Sequence, residues 1–254
     1  MKVVILAGGL GTRLSEETQI KPKPMVEIGG YPILWHIMNH YSKFGYIDFV
    51  ILLGYKGYII KEYFVNYFLH NSDFTVDLGN NNVEIINKQN LNWKVTLVDT
   101  GINSMTGARV KKVEHLIGDD TFMLTYGDGL IDLNINDLVQ FHKTHEAAVT
   151  MTSAQPDGRF GSLEISGNKV VKFQEKPKGD GSWINAGYFV CDKDIFKYIE
   201  NGDDVVLEQE PLKLLAKDNQ LFTYKHEGFW MPMDTLRDKI KLEKIWKEKN
   251  APWK

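Results

Sequence analysis

Residues 1–30 read MKVVILAGGLGTRLSEETQIKPKPMVEIGG, and their first half decides the fold. Lys2 to Ala7 is a short apolar, β-branched run, the pattern expected of a buried parallel strand. It runs into Gly8-Gly9-Leu10-Gly11-Thr12-Arg13, a turn open to small residues with a cation at its tip. Without a Cβ in the way, glycine N–H groups can approach an anion closely. Arg13 adds a planar guanidinium suited to phosphate oxygens. Lys23 adds a mobile ammonium on a backbone stiffened by Pro22 and Pro24. Loop and cations together read as a grip for a triphosphate. Two better-known loops are excluded. The P-loop needs Lys-Ser or Lys-Thr after its glycines, and none follows. The dinucleotide fingerprint G-x-G-x-x-G begins at Gly9 and Gly11 but meets Leu14 at its third position.

Outward from that loop, 254 residues suffice for one large α/β domain with a substantial core. The formal net charge of −3 gives no electrostatic case for nucleic-acid binding. No apolar run approaches the roughly 18–20 residues of a membrane span. The first residues enter a strand at once, the pattern expected without a secretory leader, so a cytoplasmic protein is expected. The lone Cys191 excludes an intramolecular disulfide and any zinc cluster built on cysteines. Its neighbours Phe189 and Val190 favour a buried thiol.

The spacing of Leu34, Ile37, Met38, Tyr41 and Phe44 predicts a helix over 31–44, with Pro32 in its first turn. A second buried strand is expected over 48–53, and an aromatic-rich helix over 57–69. These βαβ elements favour a doubly wound parallel sheet. Region 71–100 breaks the rhythm: Gly79-Asn80-Asn81-Asn82 separates alternating runs 74–78 and 83–86, which predicts an inserted hairpin. Strands follow over 94–99, 121–125, 147–153, 183–191 and 221–225, with two short ones around Gly167-Asn168. Helices are expected from the 104–109 stretch to about 115, over 135–145, 208–217 and 235–247. No linker or repeat divides the chain, so a single domain over 1–254 is expected.

In an open α/β sheet, ligands bind beyond the carboxyl ends of the strands. Gly127-Asp128-Gly129, Glu175-Lys176 and Asp234 fall there together with the glycine loop. Asp128 is uncrowded between glycines and suits a metal ligand, although Asp and Gly also make Asx-type turns. Asp234 is either a second ligand or the N-cap of the helix that follows it. Lys23 is either a positioned charge or a solvated loop lysine. Glu175-Lys176 reads equally as a strand-end charge pair, and Arg109 as a helix-surface arginine. His36 and His40 stand at i, i+4, a spacing that can bind zinc, but Ile37 and Met38 between them suggest a helix packed on the sheet.

The whole string L-A-G-G-x-G-T-R-L followed by K-P-K-P-M-V-E-I-G-G resembles the signature of sugar-phosphate nucleotidyltransferases. Ser15-Glu16-Glu17-Thr18 with Lys21-Pro22-Lys23-Pro24 resembles the CTP-using branch of that family, and the likeness runs on to MPMDTLRDK. It implies a Rossmann-like nucleotidyltransferase fold: α/β, with a mostly parallel central sheet, helices on both faces and the inserted hairpin. It implies nucleotide binding by Leu6, Ala7, Gly8, Gly9, Leu10, Gly11, Thr12, Arg13, Lys23, Ser104, Arg109, Gly127 and Asp128. Arg13 and Lys23 are the catalytic cations on this resemblance, and Asp128 and Asp234 hold magnesium. Glu175, Lys176, Asn185 and Gly187 bind the sugar phosphate, with Ala186 where the family often has a second glycine. The implied reaction joins CTP and α-D-glucose 1-phosphate to give CDP-glucose and pyrophosphate, feeding dideoxysugar and O-antigen synthesis in bacteria. A homo-oligomer is implied, with the hairpin a candidate contact. The same chemistry on another phosphorylated acceptor, or with UTP or dTTP, stays open, as does a regulatory subunit without turnover.

Overall fold

The computed structural model describes residues 1–87, 91–158, 161–175, 178 and 182–254. Seven strands of these residues form one sheet: β1 (Val3–Ala7), β2 (Asp48–Leu53), β3 (Lys94–Asp99), β4 (Phe122–Tyr126), β5 (Val149–Ala154), β6 (Ile184–Cys191) and β7 (Leu221–His226). Their spatial order is β7-β5-β6-β4-β1-β2-β3. Pairings β1–β2, β1–β4, β2–β3 and β5–β7 are parallel, whereas β6 is antiparallel to both β4 and β5. The mostly parallel sheet agrees with the expectation from sequence. The reversal of β6 has a topological reason. The chain between β5 and β6 carries an antiparallel ribbon, Ser162–Ser166 with Lys169–Gln174, instead of a crossover helix. Only parallel neighbours require such a crossover.

The central strands are apolar throughout because both faces are covered. Val3, Ile5 and Ala7 of β1 pack with Leu34, Ile37, Met38 and Tyr41 on one side. Val4 packs with Val50, Leu52, Leu124 and Val110 on the other. The first long helix is Ile33–Lys43, shorter than expected. Tyr31–Pro32 instead pairs with Glu27–Ile28 as a two-residue ribbon, and Pro32, held at φ −54° and ψ 145°, precedes the first turn. The expected helix over 57–69 is divided at Asn66, into Gly57–Val65 and Tyr67–His70. The hairpin appears as Asp73–Asp77 paired with Asn82–Asn87. In its turn the Asp77 carboxylate accepts from the backbone of Gly79 and Asn80. No helix among the described residues is long and apolar enough to cross a membrane.

From β1 the chain runs outward through β2 and β3, then returns to place β4 on the other side of β1. That switch opens a crevice beyond the carboxyl ends of β1 and β4, where α/β sheets bind ligands.

His36 and His40 do not converge on a common point. The His36 Nε2 bonds Ile28 O at 2.8 Å and the His40 Nε2 bonds Leu133 O at 2.8 Å. A carbonyl only accepts, so Nε2 of His40 carries a proton. Burial lowers the His40 pKa from its usual 6.5 to about 4, against a smaller opposing effect of the Leu133 hydrogen bond. A folded value below the unfolded one means that protons favour the unfolded chain between the two. Stability is therefore complete above about pH 6.5 and declines by up to about 3 kcal/mol as pH falls toward 4. His40→Gln keeps a donor and does not titrate, so its urea-unfolding free energy should fall less than that of the unaltered chain between about pH 7.5 and about pH 5. Equal losses in the two chains would remove His40 as a source of acid lability.

Candidate active site

β1 ends at Ala7, and the glycine loop that follows is shaped from below. Arg109, on the helix Thr106–Lys112, is 4% exposed. Its guanidinium donates to Leu53 O at 2.9 Å, Thr100 Oγ1 and Gly101 O at 2.7 Å, Gly8 O at 3.1 Å and Ile102 O at 3.3 Å. Those acceptors lie at the carboxyl ends of β1, β2 and β3, so one side chain ties three strand ends together. A Cβ at Gly54 would lie 2.6 Å from Nη1, and one at Gly8 would also strike the guanidinium. The glycine at position 8 is thus needed for the cation beneath it. Burial lowers the arginine pKa, but a guanidinium stays charged in proteins. A fixed positive charge therefore sits under the loop, which the surface-arginine reading does not describe. Gly11 adopts φ +65°, a left-handed conformation, and its carbonyl accepts from Leu14 N and the Thr18 hydroxyl.

Lys23 begins the 3-10 turn Lys23–Met25 behind Pro22. Its Nζ lies 2.6 Å from Asp128 Oδ2 and 2.7 Å from Asp234 Oδ1, and its side chain is 11% exposed. Arg13 Nη1 reaches Asp234 Oδ2 at 2.9 Å from a side chain 73% exposed. Lys23 is therefore a positioned charge and not a solvated loop lysine. Burial alone would lower its pKa, but Asp128 and Asp234 together outweigh burial and raise it.

The two carboxylates come from distant parts of the chain and are held by backbone. Gly127 N donates to Leu6 O at 3.0 Å, which seats Asp128 beside β1. Gly129–Ile131 pairs antiparallel with Trp230–Pro232, and Met233 N donates to Asp128 O at 2.8 Å. That ribbon carries Asp234 to Asp128. Asp234 is not the cap of the last helix, Leu236–Lys247. Thr235 fills that position, in a capping box with Asp238. The Asp128 carboxylate is engaged by Lys23, which replaces the Asx-turn reading. Among the described residues no group of three His, Cys, Asp or Glu side chains could hold a metal. Two carboxylates beside a phosphate grip fit magnesium, which usually takes one or two carboxylates and completes its shell with phosphate oxygens and water. They do not fit zinc, which takes three or four nitrogen, sulfur or carboxylate ligands from protein.

A cleft of about 660 Å³ lies over these groups, lined by Leu6 to Arg13, Lys23, Ser104, Arg109, Gly127, Asp128 and Asp234. Ser104 is buried, within 2.5 Å of Thr100 O and 2.7 Å of Asp203 Oδ1, and accepts from Lys112. The structure thus brings together the nucleotide and metal residues expected from sequence. The sugar-side residues are more scattered. Asn185 donates to the Tyr126 hydroxyl at 2.9 Å, and Gly187 leaves room for the Tyr126 ring. Glu175 follows the exposed ribbon strand Lys169–Gln174 and does not line this cleft. Lys176 lies outside the described residues.

Tyr126, Thr106 and Glu208 also line the cleft and were not singled out by sequence reasoning. Glu208 was expected inside a helix over 208–217, but that helix is Glu210–Lys217. Pro211 is the signal that could have located its start, since proline belongs in a first helical turn.

Residues 2–242 match the family model described as Nucleotidyl transferase. The chain is 57% identical to the glucose-1-phosphate cytidylyltransferase of Salmonella typhimurium (strain LT2), over 100% of this chain and 99% of that one. It is 42% identical to the "probable glucose-1-phosphate cytidylyltransferase" of Bacillus subtilis (strain 168), over the same shares. The crystal structure of HddC from Yersinia pseudotuberculosis matches with a TM-score of 0.69 at 24% identity, covering 96% of this chain and 99% of that one. At that identity the likeness concerns the fold. Enzymes of this kind generally use a divalent metal, in keeping with the paired carboxylates. With a matching family model over almost its whole length and a glycine loop, paired cations and two carboxylates at the switch of its sheet, this chain belongs to the nucleotidyl transferase family and is a nucleotidyltransferase enzyme.

Proposed function

We propose that the enzyme transfers the cytidylyl group of CTP to α-D-glucose 1-phosphate, forming CDP-glucose and releasing pyrophosphate. The meeting of Arg13, Lys23, Asp128 and Asp234 beside the glycine loop carries the chemistry. The choice of substrates is supported by the full-length identity to relatives bearing that activity in their names. A phosphate oxygen of glucose 1-phosphate attacks the α-phosphorus of CTP in line. The new P–O bond forms as the bond to the β-phosphate breaks, and pyrophosphate leaves with its electron pair. No enzyme nucleophile is required, since positioning and charge neutralisation can supply the catalysis.

Loop N–H groups from Gly8 to Arg13 face the triphosphate, above the buried Arg109 charge. Arg13 and Lys23 neutralise phosphate charge as it develops. Asp128 and Asp234 are the carboxylates that would hold magnesium, which when bound supplies charge neutralisation to the triphosphate. Ser104 and Arg109 organise the nucleotide wall, and Glu175, Asn185 and Gly187, with Lys176, are read as serving the sugar phosphate. Residues 1–254 act as one catalytic domain in the cytoplasm, where nucleoside triphosphates are made, and the product feeds dideoxysugar and O-antigen synthesis. A homo-oligomer is favoured by the exposed apolar residues of the inserted hairpin, among them Phe74, Val76 and Ile86.

Asp234→Asn removes a charge while keeping the shape, and Thr235 continues to cap the helix. Turnover should fall at least about a hundredfold, a loss of roughly 2.7 kcal/mol of transition-state stabilisation. Near-normal turnover would take Asp234 out of the chemistry.

Cytosine differs from uracil by its 4-amino donor and by N3, which accepts where uracil donates. A pocket that pairs that edge leaves buried groups unsatisfied with the wrong base, at about 1–3 kcal/mol for each. CTP should therefore exceed UTP by ~10-fold to a few hundredfold in kcat/KM, since discrimination follows differential transition-state binding. Pyrophosphate release from CTP, UTP and dTTP in competition, with glucose 1-phosphate as acceptor, measures this. Equal use of the pyrimidines would sink the cytidylyl assignment and leave nucleotidyl transfer standing.

A further inference from the structure

Tyr126 stands at the carboxyl end of β4, directly before Gly127-Asp128. Its hydroxyl donates to Glu208 Oε1 at 2.5 Å and accepts from Asn185 Nδ2 at 2.9 Å. The second oxygen of Glu208 accepts from the Thr106 hydroxyl at 2.6 Å, and that hydroxyl accepts from Leu207 N at 2.9 Å. At the other end, Asn185 Oδ1 accepts from Gly187 N at 2.8 Å. Four chain segments are therefore joined through one phenol and the carboxylate it bonds: β4, β6, the first turn of the helix Thr106–Lys112, and the loop before Glu210–Lys217.

The chain makes room for this arrangement. Gly187 adopts φ +79°, and a Cβ there would lie 2.5 Å from Tyr126 Cδ2. The Tyr126 ring also meets Phe189 at a centroid distance of 5.8 Å. Gly187, expected to touch sugar, is in this structure the residue that admits the tyrosine. Both hydroxyl bonds to Glu208 have the short lengths of charge-assisted O–H···O⁻ contacts, the stronger class. Helix initiation does not account for Glu208, because Gln209 occupies the N-cap. Tyr126 and Glu208 both line the cleft.

We propose that the Tyr126 hydroxyl and the Glu208 carboxylate are positioning residues for the transfer, fixing the nucleotide wall of the cleft at a set spacing from the Asn185 side that serves the sugar phosphate. The proposal rests on the cytidylyl-transfer reading above and deepens it. Thr106 and Glu208 belong to the nucleotide wall, Asn185 to the strand facing the acceptor, and Asp128 follows Tyr126 by two residues. One hydroxyl bonded on both sides joins all of them. In-line attack requires the reacting atoms to approach to about 3–3.5 Å, so slack between the two walls costs rate even where each substrate keeps its own contacts.

The test uses the full chain and steady-state kinetics with CTP and glucose 1-phosphate. Tyr126→Phe retains the ring beside Gly187 and deletes the hydroxyl. Its kcat should fall ~10- to 100-fold, with each KM changed less than about threefold. Its melting temperature should fall by only a few °C, the cost of one lost hydrogen bond in a chain of this size. Glu208→Ala should show a similar loss, and the double variant little further loss, because both changes break one unit. Glu208→Gln keeps an acceptor oxygen for the Tyr126 hydroxyl and should recover most of the rate. A lower melting temperature with unchanged kcat would make the network structural only and overturn the proposal. A raised KM for one substrate with kcat intact would make these residues simple binders, and additive losses in the double variant would make them independent; either overturns it too. Equal kcat for Tyr126→Phe and the parent sinks the network, whereas no turnover of this substrate pair by the parent sinks the substrate reading instead.

Discussion

Two carboxylates held within reach of one another repel unless a cation lies between them, and in this fold the cation is the Lys23 ammonium. Its bonds to Asp128 and Asp234 join the end of β4 to the segment before the last helix. The magnitudes separate this contact from its neighbour. An ion pair exposed like Arg13–Asp234 contributes about 0–1 kcal/mol. Removing one partner from a buried pair costs about 3–5 kcal/mol, because the other charge is left uncompensated. Lys23, with most of its side chain covered, lies much nearer the second case. The prolines that flank it limit the backbone freedom that would otherwise be lost in fixing a long side chain there.

The buried guanidinium of Arg109 complements that cluster from below. It bonds carbonyl oxygens at the ends of β1 and β2 and in the loop after β3, with the Thr100 hydroxyl beside them. The same charge faces a cleft intended for a polyanion, so one residue both closes the fold and prepares the site electrostatically. Glycine at positions 8 and 54 is the steric condition for this, since either Cβ would collide with the guanidinium. At Gly8 the loop is thus small because a cation lies directly beneath it.

Carboxylates, cations and glycine loop form a site with little covalent work to do. Nucleotidyl transfer needs charge neutralised on a triphosphate and two substrates aligned, and a rigid crevice at a switch in strand order supplies both. On the proposed reading, the antiparallel β6 contributes to that alignment. Its reversal brings Asn185 and Gly187 alongside the end of β4, where Tyr126 lies between them and the nucleotide wall.

Local periodicity made much of this chain legible. β2 and β3 have the bounds expected for them, and β1 differs by one residue, because continuous β-branched apolar runs have few alternatives to a covered parallel strand. The glycine loop, its cations and the hairpin turn were equally readable, since small residues and Asn-rich turns act through their own backbone. Residue type alone left Asp234 divided between ligand and helix cap. Tertiary structure removed the cap reading by giving the cap to Thr235, and it set the Asp234 carboxylate against Lys23 and Arg13. It likewise decided that Arg109 lies under the loop, that β6 runs backwards, and that Glu208 stands in the cleft ahead of its helix. The physical reason is range: periodicity and turn chemistry are written over a few residues, whereas a charge is defined by partners that only the closed sheet brings within hydrogen-bonding distance.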